Sequence, residues 1–204
     1  MVMAKSDKTF KTGIYGGTFN PVHYGHLINA EYVRESFGLD RIIFIPAKKP
    51  VHKEMTEYAS PEDRIAMLSA AVKGNEYFSV SDIEVSRESD SYTIYTIEAM
   101  EKLYPGDELF LIIGSDSFNE LDTWKSYRDI IDRVAIIVML RPGSINLRRD
   151  ILEPGQKVLL HENPLIGISS SGIRERIGAG NSVRYLTPDS VIDYIYSKGL
   201  YKVG

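Results

Sequence analysis

The sequence predicts a doubly wound α/β fold, with a mostly parallel sheet and helices on both of its faces. Short apolar, β-branched segments alternate with longer segments of helical period, which is the pattern of β-α units. Two apolar segments, 109–113 and 135–140, lack a polar face, as is typical of strands covered on both sides. The length of 204 residues, 43% of them apolar, is sufficient for one domain with a substantial core.

The predicted strands are the short members of this alternation. They are 12–15, 41–46, 78–85, 108–113, 134–140 and 157–160. Ordered along the chain with helices between them, they predict a Rossmann-like sheet.

The first predicted helix, 25–37, follows the first strand. Leu27, Ala30 and Val33 lie on one of its faces, and Gly38 is a suitable C-terminal stop. The repeat of these apolar residues indicates that this face packs on the sheet.

The second predicted helix has the clearest boundaries. Ser60 is a good N-cap, Pro61 suits the first helical position, and Gly74 closes the apolar run that follows. Acidic residues in its first turn complement the helix dipole. The remaining predicted helices are 93–103, 118–131, 172–177 and 188–198.

No predicted strand follows the last two helices, so they are expected to form a small C-terminal helical cap, at about 168–204. The segment 143–155 has little regular pattern and is expected to be a loop. No internal repeat or composition shift divides the chain, and 1–204 is expected to be a single domain.

Composition excludes several classes of function. The 24 Lys and Arg against 28 Asp and Glu give a net charge of −4, which argues against a nucleic-acid-binding protein, so any anion must be bound locally. Without cysteine there is no disulfide, thiolate zinc site or cysteine nucleophile. The longest apolar run, 134–140, is far shorter than the roughly 20 residues of a membrane span, and the start of the chain is unlike a signal peptide. A cytoplasmic protein is expected.

The segment after the first strand is the strongest candidate for a binding site. In a doubly wound fold, ligands bind beyond the carboxyl ends of the strands, and here residues 16–26 read GGTFNPVHYGH. Two adjacent glycines permit close approach of a ligand, while His23 and His26 share one face of the starting helix. The helix N-terminus adds N–H groups and a partial positive charge. This combination predicts a polyphosphate site that needs no net basic patch.

Other interpretations of the histidines remain open at this point. Each could be an ordinary buried or exposed histidine, and the usual P-loop and dinucleotide-binding glycine motifs are absent. A zinc site would need His23 and His26 together with a third ligand, which would have to be His52, His161 or Asp116.

Two polar clusters follow later strands. Arg174 comes after three serines, 169–171, at a predicted helix start, where it could bind phosphate or be a solvated residue beside a serine cap. Asp116 follows the strand 108–113, where it could bind a ribose hydroxyl or cap a helix.

An aromatic residue and a basic cluster complete the candidates. Trp124 lies among polar neighbours, where it could pack in the core or stack on a planar ligand. The cluster 46–53 contains Lys48, His52 and Lys53, and its alternative is a solvated charged surface.

Several of these motifs together resemble a known family. The segment GGTFNPVHYGH is similar to the nucleotidyltransferase superfamily signature with its His-x-Gly-His pair, in the form found in bacterial nicotinate-nucleotide adenylyltransferases. The stretches GSDSF at 114–118, ISSSGIR at 168–174 and YLTP at 185–188 resemble further motifs of that family, in order and over nearly the whole chain. The chain is therefore identified as a member of it.

The resemblance implies an activity. ATP and nicotinate mononucleotide would give nicotinate adenine dinucleotide and pyrophosphate, with Mg²⁺ carried by the ATP phosphates and no dedicated protein metal site. The attacking phosphate monoester is already an anion, so catalysis would require alignment and electrostatic stabilisation, without a general base. The implied partners are these small molecules, without nucleic acid or membrane; a homo-oligomer remains open.

The resemblance also implies roles for individual residues. The implied catalytic residues are His23, His26 and Arg174. The implied ATP-binding residues are Gly16, Gly17, Thr18, Phe19, Gly25, Gly114, Asp116, Ile168, Ser169, Ser170 and Ser171. The implied mononucleotide-binding residues are Asn20, Lys48, His52, Lys53, Thr93 and Trp124. The chain departs from the family pattern at Val51 and at Tyr95.

Alternatives to this activity remain. A sister adenylyltransferase would use phosphopantetheine or nicotinamide mononucleotide as acceptor. A regulator would keep the nucleotide pocket without turnover, although intact histidines and Arg174 argue against lost catalysis. A redox enzyme on the same fold would need the dinucleotide fingerprint that is absent here.

Overall fold

A computed structural model describes residues 9–48, 59–88, 90–140 and 147–202, and its centre is a parallel sheet of six strands. The strands are β1 Lys11–Gly17, β2 Arg41–Pro46, β3 Phe78–Val80, β4 Glu108–Gly114, β5 Ala135–Leu140 and β6 Val158–Glu162. Their order across the sheet is β3-β2-β1-β4-β5-β6, and every pairing is parallel. This is the Rossmann-like order, so the predicted fold class is confirmed.

Within the described residues, seven α-helices connect or follow the strands. They are α1 Tyr24–Phe37, α2 Pro61–Val72, α3 Thr93–Leu103, α4 Ser115–Asn119, α5 Tyr127–Arg133, α6 Ser170–Gly178 and α7 Asp189–Lys198, with 3-10 turns at Leu121–Thr123 and Arg149–Ile151. The predicted caps are confirmed, since the Ser60 side chain accepts a hydrogen bond from the Asp63 N–H at 3.0 Å. Gly38 ends α1 in the left-handed conformation, with φ 60°.

The helices cover both faces of the sheet. On one face, α1, α2, α6 and α7 form a core that includes Ala30, Met67, Ile173 and Ile195. On the other face, α3, α4 and α5 pack around residues such as Ile97, Phe118 and Ile130. The C-terminal helices therefore share the core of the first face, where the Ser190 hydroxyl of α7 donates to the Ala70 carbonyl of α2 at 3.1 Å.

The prediction of one helix over 118–131 is wrong. The chain forms α4, a 3-10 turn and α5 in succession, because the backbone leaves the helical region at two positions. Trp124 is extended, with ψ 144°, and Ser126 is left-handed, with φ 52°. Helical hydrogen bonding cannot continue through these conformations, so a new helix begins at Tyr127.

The predicted strand 78–85 is also too long. Pairing of β3 with β2 ends at Val80, and the chain then turns. The Ser81 hydroxyl accepts a hydrogen bond from the Ile83 N–H at 3.4 Å, and the Ser86 N–H bonds to the Asp82 carbonyl at 2.8 Å. These local bonds replace the ladder that a longer strand would make.

The topology of the sheet indicates where a ligand is expected to bind. The strand order reverses between β1 and β4, because β2 and β3 extend the sheet on one side while β5 and β6 extend it on the other. Ligands bind at such a switch point, beyond the carboxyl ends of the strands. Among residues 9–48, 59–88, 90–140 and 147–202, no helix is long and apolar enough to cross a membrane.

Candidate active site

A cleft of about 900 Å³ opens at the carboxyl ends of β1 and β4. It brings together most of the residues that the sequence singled out. These lining residues are Gly16, Gly17, Thr18, Phe19, Asn20, His23, Gly25, His26, Thr93, Gly114, Asp116, Trp124, Ile168, Ser169, Ser170, Ser171 and Arg174. A cleft of this volume is large enough for nucleotide-sized ligands.

The two histidines form a stacked pair at the start of α1. Their ring centroids are 3.7 Å apart with an interplanar angle of 26°. His23 occupies the N-cap position in an extended conformation. The Phe19 ring meets the His26 ring edge to face, with the two ring centroids 5.0 Å apart. The start of a helix and an aromatic neighbour therefore fix both rings on the wall of the cleft.

Both histidines are neutral at pH 7. Burial lowers the pKa of His23 to about 4, and burial together with the nearby His23 ring lowers the pKa of His26 well below its usual value. The His26 Nδ1 accepts a hydrogen bond from the His23 N–H at 3.3 Å, so the neutral His26 ring carries its proton on Nε2. The pair thus supplies N–H donors without introducing positive charge.

This pKa shift predicts a pH dependence of stability. His23 binds a proton in the unfolded chain near pH 6.5 but in the folded protein only near pH 4. The unfolded state therefore binds more protons between these values, and the contribution of His23 to the free energy of unfolding should fall by about 3 kcal/mol as pH decreases from 6.5 to 4. Urea unfolding of the wild type and of His23→Gln at each pH measures this difference; a parallel pH dependence in the two proteins would contradict it.

Gly25 has no side chain, and this leaves room for the His23 ring. A Cβ on Gly25 would lie 2.9 Å from His23 Nδ1 and 3.0 Å from its Cε1, closer than real contacts allow. The backbone conformation of Gly25 itself is helical, so the constraint comes from this contact. The ring would have to leave its stacked position to admit a methyl group.

Gly25→Ala is therefore expected to separate stability from activity. Alanine favours a helix by up to about 1 kcal/mol over glycine, so the melting temperature should not fall. Turnover should fall by about 10-fold or more, because the displaced His23 ring no longer faces the ligand. Steady-state rates and thermal melts test this, with Ser36→Ala, at an exposed position of the same helix, as control; unchanged turnover in Gly25→Ala would show that the ring position is unimportant.

The N-terminus of α6 also lines the cleft. The Ser169 hydroxyl accepts the Gly172 N–H at 3.1 Å, which confirms a serine cap. The Ser170 hydroxyl donates to the Pro21 carbonyl at 2.8 Å, and Arg174 Nη1 donates to the Asn20 carbonyl at 2.9 Å. Arg174 is therefore attached to the histidine segment, and is not simply a solvated residue beside a cap.

Residues at the start of α4, directly after β4, also line the cleft. Gly114 is the N-cap of this helix and Asp116 is its second residue, so the alternative that Asp116 caps the helix is wrong. The Asp116 side chain is exposed on the cleft. A carboxylate accepts hydrogen bonds, as a ligand hydroxyl would require.

Thr93 and Trp124 also line the cleft. Thr93 is the first residue of α3, and the half-buried Trp124 packs against the same core cluster as Tyr92 and Tyr95. Lys125 Nζ donates to the Tyr95 hydroxyl at 2.6 Å. Tyr95, where the chain departs from the family pattern, therefore bonds to the residue that follows Trp124.

The basic cluster is described only in part. Lys48 does not line the cleft, and its ammonium group donates instead to the Arg87 carbonyl, while its N–H donates to the Ser91 hydroxyl at 3.1 Å. His52, Lys53 and the departure at Val51 lie outside the described residues.

The structure also shows site residues that the sequence did not reveal. Glu84 and Thr96 line the cleft beside Thr93, and the Thr96 hydroxyl donates to the Glu84 carboxylate at 2.6 Å. Burial raises the pKa of Glu84 above its usual value. Arg64 is different, since its place in the second predicted helix made it a weaker candidate for the mononucleotide phosphate. It does not line the cleft but is completely buried, and it donates to the Thr18 and Lys48 carbonyls at 2.9 and 3.2 Å.

The zinc alternative lacks a set of ligands in the described part of the chain. No group of three or more His, Cys, Asp or Glu side chains there could hold a metal ion. His161 lies on β6 against Phe37, with ring centroids 5.8 Å apart, and is not a lining residue. The donors that surround the histidine pair are N–H, hydroxyl and guanidinium groups, which suit phosphate oxygens.

The sequence is similar to known proteins over most of its length. The profile of the cytidylyltransferase-like family matches residues 14–176. A protein of Desulfitobacterium hafniense (strain DSM 10664 / DCB-2), named a probable nicotinate-nucleotide adenylyltransferase, is 42% identical over 199 residues, covering 95% of this chain and 96% of its own. A protein of the same name from Dictyoglomus thermophilum is 42% identical over 194 residues, covering 94% and 99%.

Solved structures share the fold. The Plasmodium falciparum nicotinic acid mononucleotide adenylyltransferase complexed with NaAD has a TM-score of 0.76 at 22% identity, covering 94% of this chain and 97% of its own. The same enzyme complexed with APC has a TM-score of 0.73 at 20% identity. At these identities the likeness establishes the arrangement of strands and helices.

Proposed function

Because the chain belongs to the cytidylyltransferase-like family, and within it to the nicotinate-nucleotide adenylyltransferases, we propose that its cleft transfers the adenylyl group of ATP to nicotinate mononucleotide. The products are nicotinate adenine dinucleotide and pyrophosphate, and the reaction is a step of NAD biosynthesis. The observation that carries the proposal is the meeting of the neutral His23–His26 pair with Arg174 at one cleft.

The nucleophile is the phosphate monoester of the mononucleotide. One of its oxygens attacks the α-phosphorus of ATP in line, the new O–P bond forms, and the bond from the α-phosphorus to the bridging oxygen breaks. Since this nucleophile is already an anion at neutral pH, no side chain has to remove a proton from it. The enzyme therefore lowers the barrier by alignment and by stabilising charge.

Charge builds up on the pyrophosphate that leaves. His26 is proposed to donate through Nε2–H and His23 through its protonated ring nitrogen, while Arg174, bonded to the Asn20 carbonyl, adds a full positive charge. Fixed donors in a cleft stabilise such charge more than water does, because they need no reorganisation during the reaction. Mg²⁺, bound to the ATP phosphates, enters with this substrate and neutralises part of their charge.

The cleft is proposed to bind ATP in one half and the acceptor in the other. Gly16 and Gly17 with the serines 169–171 line the half beside the histidines. Thr93 and Trp124 line the other half, where the indole is proposed to stack on the pyridine ring and the Thr93 hydroxyl to bind its carboxylate. His52 and Lys53 are proposed to bind the mononucleotide phosphate, whereas Lys48 is not, because its ammonium group donates to the Arg87 carbonyl.

The test is pyrophosphate release from Mg-ATP with each acceptor in turn. Nicotinate mononucleotide should react fastest, nicotinamide mononucleotide more slowly because it lacks the carboxylate, and phosphopantetheine not at all. Trp124→Ala should raise the KM for nicotinate mononucleotide by about 10-fold and leave the KM for ATP nearly unchanged, since stacking contributes about 1–3 kcal/mol. Trp124 fluorescence should be quenched by the acid form.

Three outcomes would revise the proposal. Equal rates with the two pyridine mononucleotides would remove the acid preference, and turnover with phosphopantetheine would replace the acceptor. Tight ATP binding without pyrophosphate release from any acceptor would indicate a nucleotide-binding regulator.

We further propose that residues 1–204 form one nucleotidyltransferase domain that acts in the cytoplasm. The packing of α7 against α2 supports this view of the domain, because the core that contains Val191 and Ile195 also contains Met67 and Leu68.

A further inference from the structure

A tyrosine beyond α7 reaches the histidine segment from far along the chain. The Tyr201 hydroxyl donates to the Asn20 side-chain Oδ1 at 2.7 Å, across 181 positions of sequence. Tyr201 has a left-handed backbone, with φ 62°, and its ring packs against the core formed by α1, α2, α6 and α7. This residue belongs to none of the motifs that the sequence singled out.

Asn20 is the junction of three segments. Its side chain is buried, with 1% exposure, and Oδ1 accepts a second hydrogen bond from the Ala59 N–H at 3.1 Å. A backbone N–H can only donate, so the atom that faces Ala59 must be the amide oxygen, and the orientation of the Asn20 amide is fixed. The Asn20 carbonyl accepts Arg174 Nη1 at 2.9 Å.

The charges around the Tyr201 hydroxyl favour a persistent donor. Burial raises the pKa of Tyr201 well above its ordinary value, although Arg174 and Arg64 act in the opposite direction. The hydroxyl therefore stays protonated over the pH range in which ATP-dependent enzymes work. It holds Asn20 under all those conditions.

We infer that Tyr201 is a positioning residue for Arg174 and acts through Asn20. The inference rests on the proposed function, in which Arg174 binds the ATP phosphates. A guanidinium is a rigid fork, so the N–H given to the Asn20 carbonyl sets the direction of the remaining donors. If Asn20 shifts, Arg174 shifts with it, and misplacement by about 1 Å can reduce a rate by about 100-fold.

The direct test removes one oxygen atom. Tyr201→Phe should lower kcat by about 10-fold, with less than about a twofold change in the KM for either substrate, because Arg174 is misdirected while the binding pockets remain. The matched control is Tyr196→Phe, since Tyr196 lies on α7 with 46% exposure, and this variant should match the wild type. Both are assayed by pyrophosphate release well below their melting temperatures.

A second arm asks through which residue Tyr201 acts. In an Arg174→Ala background, Tyr201→Phe should cause no further loss of kcat, because the group that it positions is gone. A role in stability alone would lower activity by the same factor in both backgrounds.

A third arm tests the acceptor of the Tyr201 hydroxyl directly. Asn20→Leu removes the Oδ1 that accepts from Tyr201 and should lower kcat at least as much as Tyr201→Phe.

The outcomes distinguish this inference from the proposed function. An inactive wild type would refute the proposed function before any variant is compared. With an active wild type, the inference is overturned by Tyr201→Phe at the wild-type rate, by equal losses in the two backgrounds, or by an Asn20→Leu variant that is clearly more active than Tyr201→Phe.

Discussion

His26→Ala is expected to lower turnover by at least about 100-fold while the protein remains folded. The His26 ring is fixed from two sides, by the stacked His23 ring at 3.7 Å and by the bond from the His23 N–H to its Nδ1. Its Nε2–H therefore points in one direction and needs no reorganisation to meet the charge that builds on the leaving pyrophosphate. Alanine removes this donor, and water in its place is neither fixed nor desolvated.

Single-turnover and steady-state assays of pyrophosphate release measure the loss, and circular dichroism confirms the fold. His161→Ala is the matched control, because His161 lies on β6 and does not line the cleft. His26→Gln should recover part of the activity, since its amide restores one N–H donor. A fully active His26→Ala enzyme would refute the role given to the histidine pair.

Arg64→Met is expected to lower the free energy of unfolding by about 4 kcal/mol. Arg64 is fully buried and donates to the carbonyls of Thr18, Lys48 and Ala59 at 2.9, 3.2 and 3.4 Å. Methionine fills similar space but leaves these acceptors without a donor, and hydrogen bonds from charged groups contribute about 1.5–3 kcal/mol each. The effect is large because three separate segments lose one shared partner.

Urea unfolding measures the change. Arg133→Met is the control, since Arg133 forms an exposed pair with Glu101 at 2.8 Å and such pairs contribute less than about 1 kcal/mol. Arg64→Lys should not restore full stability, because one ammonium group cannot reproduce the fork that reaches three carbonyls. An unfolding midpoint for Arg64→Met equal to that of the wild type would show that these bonds contribute nothing.

Local signals made much of the fold predictable. The alternation of apolar segments and helical periods located the six strands and the caps of α2, because burial and capping depend on residues that are close together in the sequence. The break in the helix at Trp124 and Ser126 was not predictable, because the apolar spacing of 118–131 is compatible with one helix. The left-handed conformation at Ser126 occurs at a residue other than glycine, so the sequence does not indicate it.

The residues around the cleft divide in the same way. Those within the glycine turn and the serine-rich helix start could be identified from the sequence, since each motif is continuous. Tyr201 could not, because its partner lies 181 positions away and nothing near it in sequence indicates that contact. For Lys48 the sequence was misleading. Its position after β2 predicted a side chain in the cleft, but its ammonium group donates to the Arg87 carbonyl.

The bonds to the segment 20–22 have a consequence for synthesis of the protein. The carbonyls of Asn20, Pro21 and Val22 accept side-chain donors from Arg174, Ser170 and Thr187. Translation produces the glycine turn and both histidines first, yet the donors that hold them emerge from the ribosome roughly 150 residues later. The nucleotide pocket is consequently among the last features of the nascent chain to mature, and a polypeptide interrupted before α6 would carry the signature motif without a working site.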